Sequence, residues 1–109
     1  MKYIYPVVLD YTEKSFINIM LPSFEFAITC VDRDGDYTLA AQELLSLAIV
    51  DYEDRGVELP TTFVFRVLEN QKTIFVEVDM NYWRPLVINV KDNKSEQYKS
   101  RMRGVKNER

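Results

Sequence analysis

Apolar and polar positions alternate from the first residues of the chain. Tyr3, Tyr5, Val7 and Leu9 fall on one side of an extended backbone, with Lys2, Ile4, Pro6 and Val8 on the other, because successive strand side chains point to opposite faces. Residues 2 to 9 therefore read as a strand, in which Pro6 has no N–H to give to a ladder. After the polar break Asp10-Tyr11-Thr12-Glu13-Lys14, the run Ser15 to Leu21 places Ile17, Ile19 and Leu21 on one face. These two strands form a hairpin across a loop of about five residues. Pro22-Ser23 breaks the run, and Glu25 to Val31 alternates again as a third strand.

From Thr38 to Arg55 the period becomes that of a helix. Ala41, Leu45, Ala48 and Tyr52 follow at spacings of four, three and four, and Leu44, Leu47 and Ile49 widen the stripe. Asp36 or Thr38 can cap its start, while Gly56 supplies the left-handed residue that ends helices, with Pro60 beyond. Thr73 to Asp79, with Ile74, Val76 and Val78 on one side, is a further strand. Phe63 to Leu68 is a candidate hairpin partner for it across Glu69-Asn70-Gln71-Lys72. The order is β-β-β-α-β. With the last strand parallel to the first, the helix would cover one face through a right-handed crossover. The expected fold is α+β, a two-layer sandwich of sheet and helix.

A chain of 109 residues has room for one core, and 47% hydrophobic residues are enough to build it. The longest uncharged stretch, Ser15 to Phe24, is ten residues, half of the roughly 20 that a membrane-spanning helix needs. The N-terminal residues lack the pattern of a signal peptide. A single cysteine, Cys30, cannot form an internal disulfide, and the expected compartment is the cytoplasm. The absence of histidine removes imidazole acid-base chemistry, His-based triads and His metal sites. No catalytic residue, metal ligand or cofactor is assigned, and the chain is not expected to be an enzyme. Charge divides it in two. Residues 1–88 hold 7 Lys and Arg against 14 Asp and Glu, a balance of −7, whereas residues 89–109 hold 7 against 3, a balance of +4. An acidic body thus carries a short basic C-terminal extension.

Asp32-Arg33-Asp34-Gly35-Asp36-Tyr37, continuing to Glu43, places acids at positions 1, 3, 5 and 12 of a calcium loop. Tyr37 stands where that loop needs Gly for its sharp turn, and a strand precedes the segment instead of a helix, which favours a polar loop capping a helix. Asp10 ends the first strand, where some two-metal nucleases keep a carboxylate, but no pattern supplies it with partners. Tyr82, Trp83 and Arg84 bring together the three residue types that dominate interface hot spots; Tyr82 or Trp83 could equally close one end of the core. Lys94, Lys99, Arg101, Arg103 and Lys106 form a basic run able to neutralise phosphates, or simply to face solvent.

Several stretches together resemble the HicB family of bacterial antitoxins: Lys2-Tyr3-Ile4-Tyr5-Pro6-Val7-Val8, the Gly35-Asp36 turn into Thr38-Leu39-Ala40-Ala41, Gly56 with Glu58-Leu59-Pro60, and Val76-Glu77-Val78-Asp79. The resemblance covers about residues 2 to 80. It implies a β-β-β-α-β partial ribonuclease H-like sandwich over residues 1–88, with 89–109 as a tail. Family members often carry a Pro-Asp-x-Pro-Gly turn where this chain has Pro22-Ser23-Phe24-Glu25. Many also continue into a DNA-binding module, for which 21 residues after Ile88 are too few. The implied function is a noncatalytic antitoxin of a type II pair that binds and inhibits a small basic HicA-like toxin, an mRNA-cleaving protein. The alternative is an orphan HicB-like RNA-binding protein without a toxin. On the antitoxin reading, Asp32, Asp34, Asp36 and Glu43 attract the toxin and Tyr82, Trp83 and Arg84 anchor it. The basic tail would make at most weak RNA or DNA contact. Family members usually self-associate, which implies a dimer or tetramer.

Overall fold

The computed structural model describes residues 1–25, 27–62 and 66–88. Its elements are β1 (Lys2–Asp10), β2 (Phe16–Leu21), β3 (Ala27–Asp32), α1 (Tyr37–Asp54) and β4 (Gln71–Asp79), followed by α2 over residues 80–88. The four strands form one sheet in the order β3-β2-β1-β4, and every neighbouring pair is antiparallel. This is an α+β protein.

Directly opposed residues of antiparallel strands share a face of the sheet, so the register sorts the side chains. Tyr5 with Val76, Leu9 with Ile19, and Ile17 with Val31 lie on one face, and all except partly buried Val31 are buried in a core completed by Ala41, Leu45, Ile49 and Val50 of α1. A short turn, Pro22–Phe24, follows β2. It packs Phe24 edge-on between Tyr5 and Tyr52, with ring centroids 4.7 and 5.1 Å away. β2 pairs with β1 only from Val8 to Asp10. Pro6 therefore lies where β1 has a paired strand on one side only, and its missing N–H is tolerated.

The ends of α1 are fixed by local chemistry. Asp36 accepts the backbone N–H of Leu39 at 3.0 Å, which satisfies one of the free donors of the first turn. At the other end Gly56 has φ 66°. Its N–H reaches the carbonyl of Glu53 at 3.1 Å, and that of Val57 reaches Tyr52 at 3.0 Å, the paired closure that a left-handed residue permits.

Three sequence expectations change. β4 runs antiparallel to β1, from Gln71 beside Asp10 to Asp79 beside Lys2, so no parallel crossover forms. Described residues on the way to β4 bond to β1: the Tyr5 hydroxyl donates to the carbonyl of Pro60 at 2.6 Å, and the N–H of Tyr11 to the carbonyl of Asn70 at 2.9 Å, which sets the start of β4 beside the end of β1. Second, residues 66–68 form no strand, and residues 63–65 of that candidate hairpin lie outside the described residues. The segment before β4 is a turn in which Gln71 donates to the carbonyl of Leu68 at 3.0 Å while its side-chain oxygen accepts the Leu68 N–H. Third, α2 was not anticipated from the sequence. Met80, Trp83 and Val87 lie at helical spacing and are buried in the core, and Asp79 accepts the Asn81 N–H at 3.0 Å to start the turn. Pro85 concealed it, because proline in a helix removes a donor.

Candidate interaction surface

The turn from β3 into α1 concentrates acid. Asp32, Asp34, Asp36 and Glu43 are all exposed. Gly35 closes the turn by donating to the carbonyl of Asp32 at 2.8 Å. A Cβ there would stand 2.7 Å from Val31 and 3.1 Å from that carbonyl oxygen, so only glycine fits without displacement. The cation of the turn bonds a neighbouring loop. Arg33 Nη2 donates to the carbonyls of Tyr11 and Glu13 at 2.8 and 2.6 Å, and its guanidinium lies 5.1 Å from the Tyr11 ring centre. Arg33 thus ties this turn to the β1–β2 loop.

The same geometry accounts for the apparent calcium loop. Tyr37 is the first residue of α1, and Asp36 uses an oxygen to cap that helix. Among the described residues, no three His, Cys, Asp or Glu side chains converge to hold a metal ion. Asp10 also has a structural partnership, accepting from the Thr12 N–H at 2.8 Å and from Gln71 Nε2 at 3.0 Å. The Gln71 bond first, and then those from Thr12, hold its carboxyl below the usual carboxylate range.

Tyr82, Trp83 and Arg84 separate on α2. Trp83 is 8% exposed and belongs to the core, whereas Tyr82 is 64% exposed. Their rings meet edge-on with centroids 5.5 Å apart. Arg84 grips Glu53 of α1 through both carboxylate oxygens, and this contact raises the guanidinium pKa above its ordinary value. Tyr82 is therefore the member of the trio that a partner can reach over most of its surface.

Two depressions flank the first turns of α1. One, of about 460 Å³, is lined by Lys2, Leu39, Gln42, Glu77, Tyr82 and Trp83, among others. Gln42 closes its floor by donating to the carbonyl of Glu77 at 3.1 Å. The other, of about 350 Å³, lies between β3 and α1, with Ile28, Cys30, Glu43, Leu44 and Leu47 in its wall. Residues far apart in sequence are joined here: Leu39 and Gln42 beside Tyr82, Glu43 beside Cys30. Sequence reading missed Leu39 and Gln42, whose signal was only their place on the polar side of a helix.

The sheet's second face is apolar over part of its area. Val8, Met20 and Ile28 form a cross-strand row, and Phe75 lies opposite Pro6. Pro6 and Val8 are buried, while Ile4, Ile28 and Phe75 are 55%, 59% and 66% exposed. The basic positions Lys94, Lys99, Arg101, Arg103 and Lys106 lie outside the described residues. Among the described residues, no helix is long and apolar enough to cross a membrane.

No family model matches the sequence, and no curated protein does. The fold is similar to a chain of a solved toxin-antitoxin complex from Streptococcus pneumoniae, with TM-score 0.62 and 19% identity, covering 76% of this chain and 73% of that one.

Proposed function

We propose that this chain is a noncatalytic antitoxin that binds and inhibits a small basic toxin. The observation that carries this reading is the shared fold with a chain of a toxin-antitoxin complex over 76% of the molecule. The −7 balance of residues 1–88 supports the antitoxin side of such a pair. A protein that cleaves RNA must attract phosphate, and the surface that blocks it must be anionic. The finer form of the proposal is a HicB-like antitoxin with a partial ribonuclease H-like sandwich, acting in the cytoplasm on a HicA-like mRNA-cleaving toxin. The sequence resemblance over residues 2 to 80 supports that form.

In this reading the acids at the α1 start, Asp32, Asp34, Asp36 and Glu43, steer the toxin. Tyr82 supplies an exposed aromatic anchor, with buried Trp83 holding the helix that presents it. The tail, through Lys94, Lys99, Arg101, Arg103 and Lys106, would add a weak, salt-sensitive nucleic-acid contact. Growth rescue tests the proposal. Any small basic protein encoded beside this chain is expressed alone and with it, and rescue together with copurification is the expected result. A neighbour that is harmless, or that stays toxic despite a soluble excess of this chain, rejects the antitoxin reading.

A further inference from the structure

The chain carries a positive segment and a negative groove within reach of each other. Residues 89–109 balance at +4, and among them Tyr98, Met102 and Val105 follow at spacings of four and three, one stripe of a helix, beside Lys99, Arg101, Arg103 and Lys106. A basic amphipathic segment of this kind suits an apolar groove edged with acid. The groove between β3 and α1 has that character. Residues 28–31 of β3 form one wall, and Ala40, Glu43, Leu44 and Leu47 of α1 form the other, around about 350 Å³. Ala40, Leu44 and Leu47 repeat the spacing of four and three and are half-buried, with exposed Glu43 beside them. Where β3 turns into α1 the acids gather. Residues 32–43 hold four acids against one cation, Arg33, a balance of −3, and the Arg33 guanidinium is bonded to carbonyls of the β1–β2 loop.

We propose that residues 98–106 seat in this groove of their own chain, with Tyr98, Met102 and Val105 against Ala40, Leu44 and Leu47, and the cations toward Glu43 and the acids of the turn. The chain is long enough. Tyr82 and Trp83 of α2 line the depression on the other side of the same turns of α1, and a helix with its side chains is about 10–12 Å across. Residues 89–97, which join α2 to the seated segment, span up to about 30 Å when extended. Tethering then holds the segment near the groove at a local concentration on the order of millimolar, so a contact too weak to form between separate molecules is populated within one. Opposite charge adds to it. The consequence is competition, because a basic partner drawn to these acids has to displace the chain's own basic segment. This goes beyond the antitoxin reading and holds whether or not a toxin exists.

Backbone amide NMR of the full chain tests this, since substitutions in the tail leave β3 and α1 unaltered in sequence. Tyr98→Ser combined with Met102→Ser removes the stripe without changing charge. Resonance shifts are expected at Ile28, Ala40, Glu43 and Leu44, and not at Phe75 or Glu77 on β4, the strand at the opposite end of the sheet. Raising salt on the wild-type chain should move the same groove resonances in the same direction, because screening weakens the charged part of the contact. These positions should not change on roughly 20-fold dilution, as an intramolecular contact requires. Hexa-arginine, used as a basic probe, should bind the double variant about threefold to tenfold more tightly than wild type, because its tethered competitor is gone. Shifts that are missing or fall on β4, groove resonances that change on dilution and so assign the seat to a second copy's tail, or equal hexa-arginine affinity for the two chains would each overturn the proposal.

Discussion

Asp10 and Trp83 illustrate how a single residue's role follows from its partners. Asp10 joins the end of β1 to the start of β4 through Gln71 and closes its own loop through Thr12. Because these bonds favour the carboxylate, its folded pKa lies below the ordinary 3.8. Stability from this group is therefore fully present above that value and is lost as pH falls through the folded one. Asp10→Asn should lower stability to urea at neutral pH, and its difference from wild type should vanish in strong acid. A difference that persists there would assign the effect to packing. Trp83 and Tyr82 are neighbours with opposite expectations. Trp83→Ala empties a buried site and should cost about 3–5 kcal/mol of folding stability. Tyr82→Ala should change stability by about 0.5 kcal/mol or less, yet shorten the lifetime of a toxin complex by one to two orders of magnitude if it is an anchor worth about 2 kcal/mol.

Among the elements, α2 shows how a helix can be held by its apolar side more than by its ion pair. Met80, Trp83 and Val87 are buried, while Arg84 and Glu53 keep 39% and 34% of their side-chain surface exposed. An exposed pair of this kind contributes about 0–1 kcal/mol. Arg84→Ala should therefore shift the thermal midpoint little, and Val87→Ala substantially more, which calorimetry of the two variants compares directly. The start of α1 carries a second lesson. Asp36 is both a cap and a member of the acidic rim, so Asp36→Asn removes charge while keeping a good cap, whereas Asp36→Ala should cost about 1 kcal/mol.

That distinction matters at the scale of the whole molecule, where charge acts at a distance. Neutralising the rim with Asp32→Asn, Asp34→Asn, Asp36→Asn and Glu43→Gln changes the net charge by four units and keeps the α1 cap. If the rim steers a cationic partner, the association rate should fall and lose much of its dependence on salt, with dissociation little changed. Stopped-flow mixing at several ionic strengths reads this. A change confined to dissociation would make the acids contacts instead of a steering field.

The first three strands and α1 were legible in the sequence because their determinants are local. A period of two or 3.6, a capping Asp36 and a terminating Gly56 act within a few residues of the element that they define. β4 was legible as a strand, but its direction was set by contacts such as that of Tyr11 with Asn70, which bring its start beside the end of β1, and periodicity carries no record of them. The 80–88 helix was obscured by Pro85 and is stabilised by core contacts to distant elements. The acidic character of the candidate surface could be counted from the sequence. Its shape could not. Tertiary packing decided that Trp83 turns inward while Tyr82 stays out, and that Arg33 bonds the β1–β2 loop. Burial is a property of what lies across the fold, and a single chain of letters specifies it only once the elements have met.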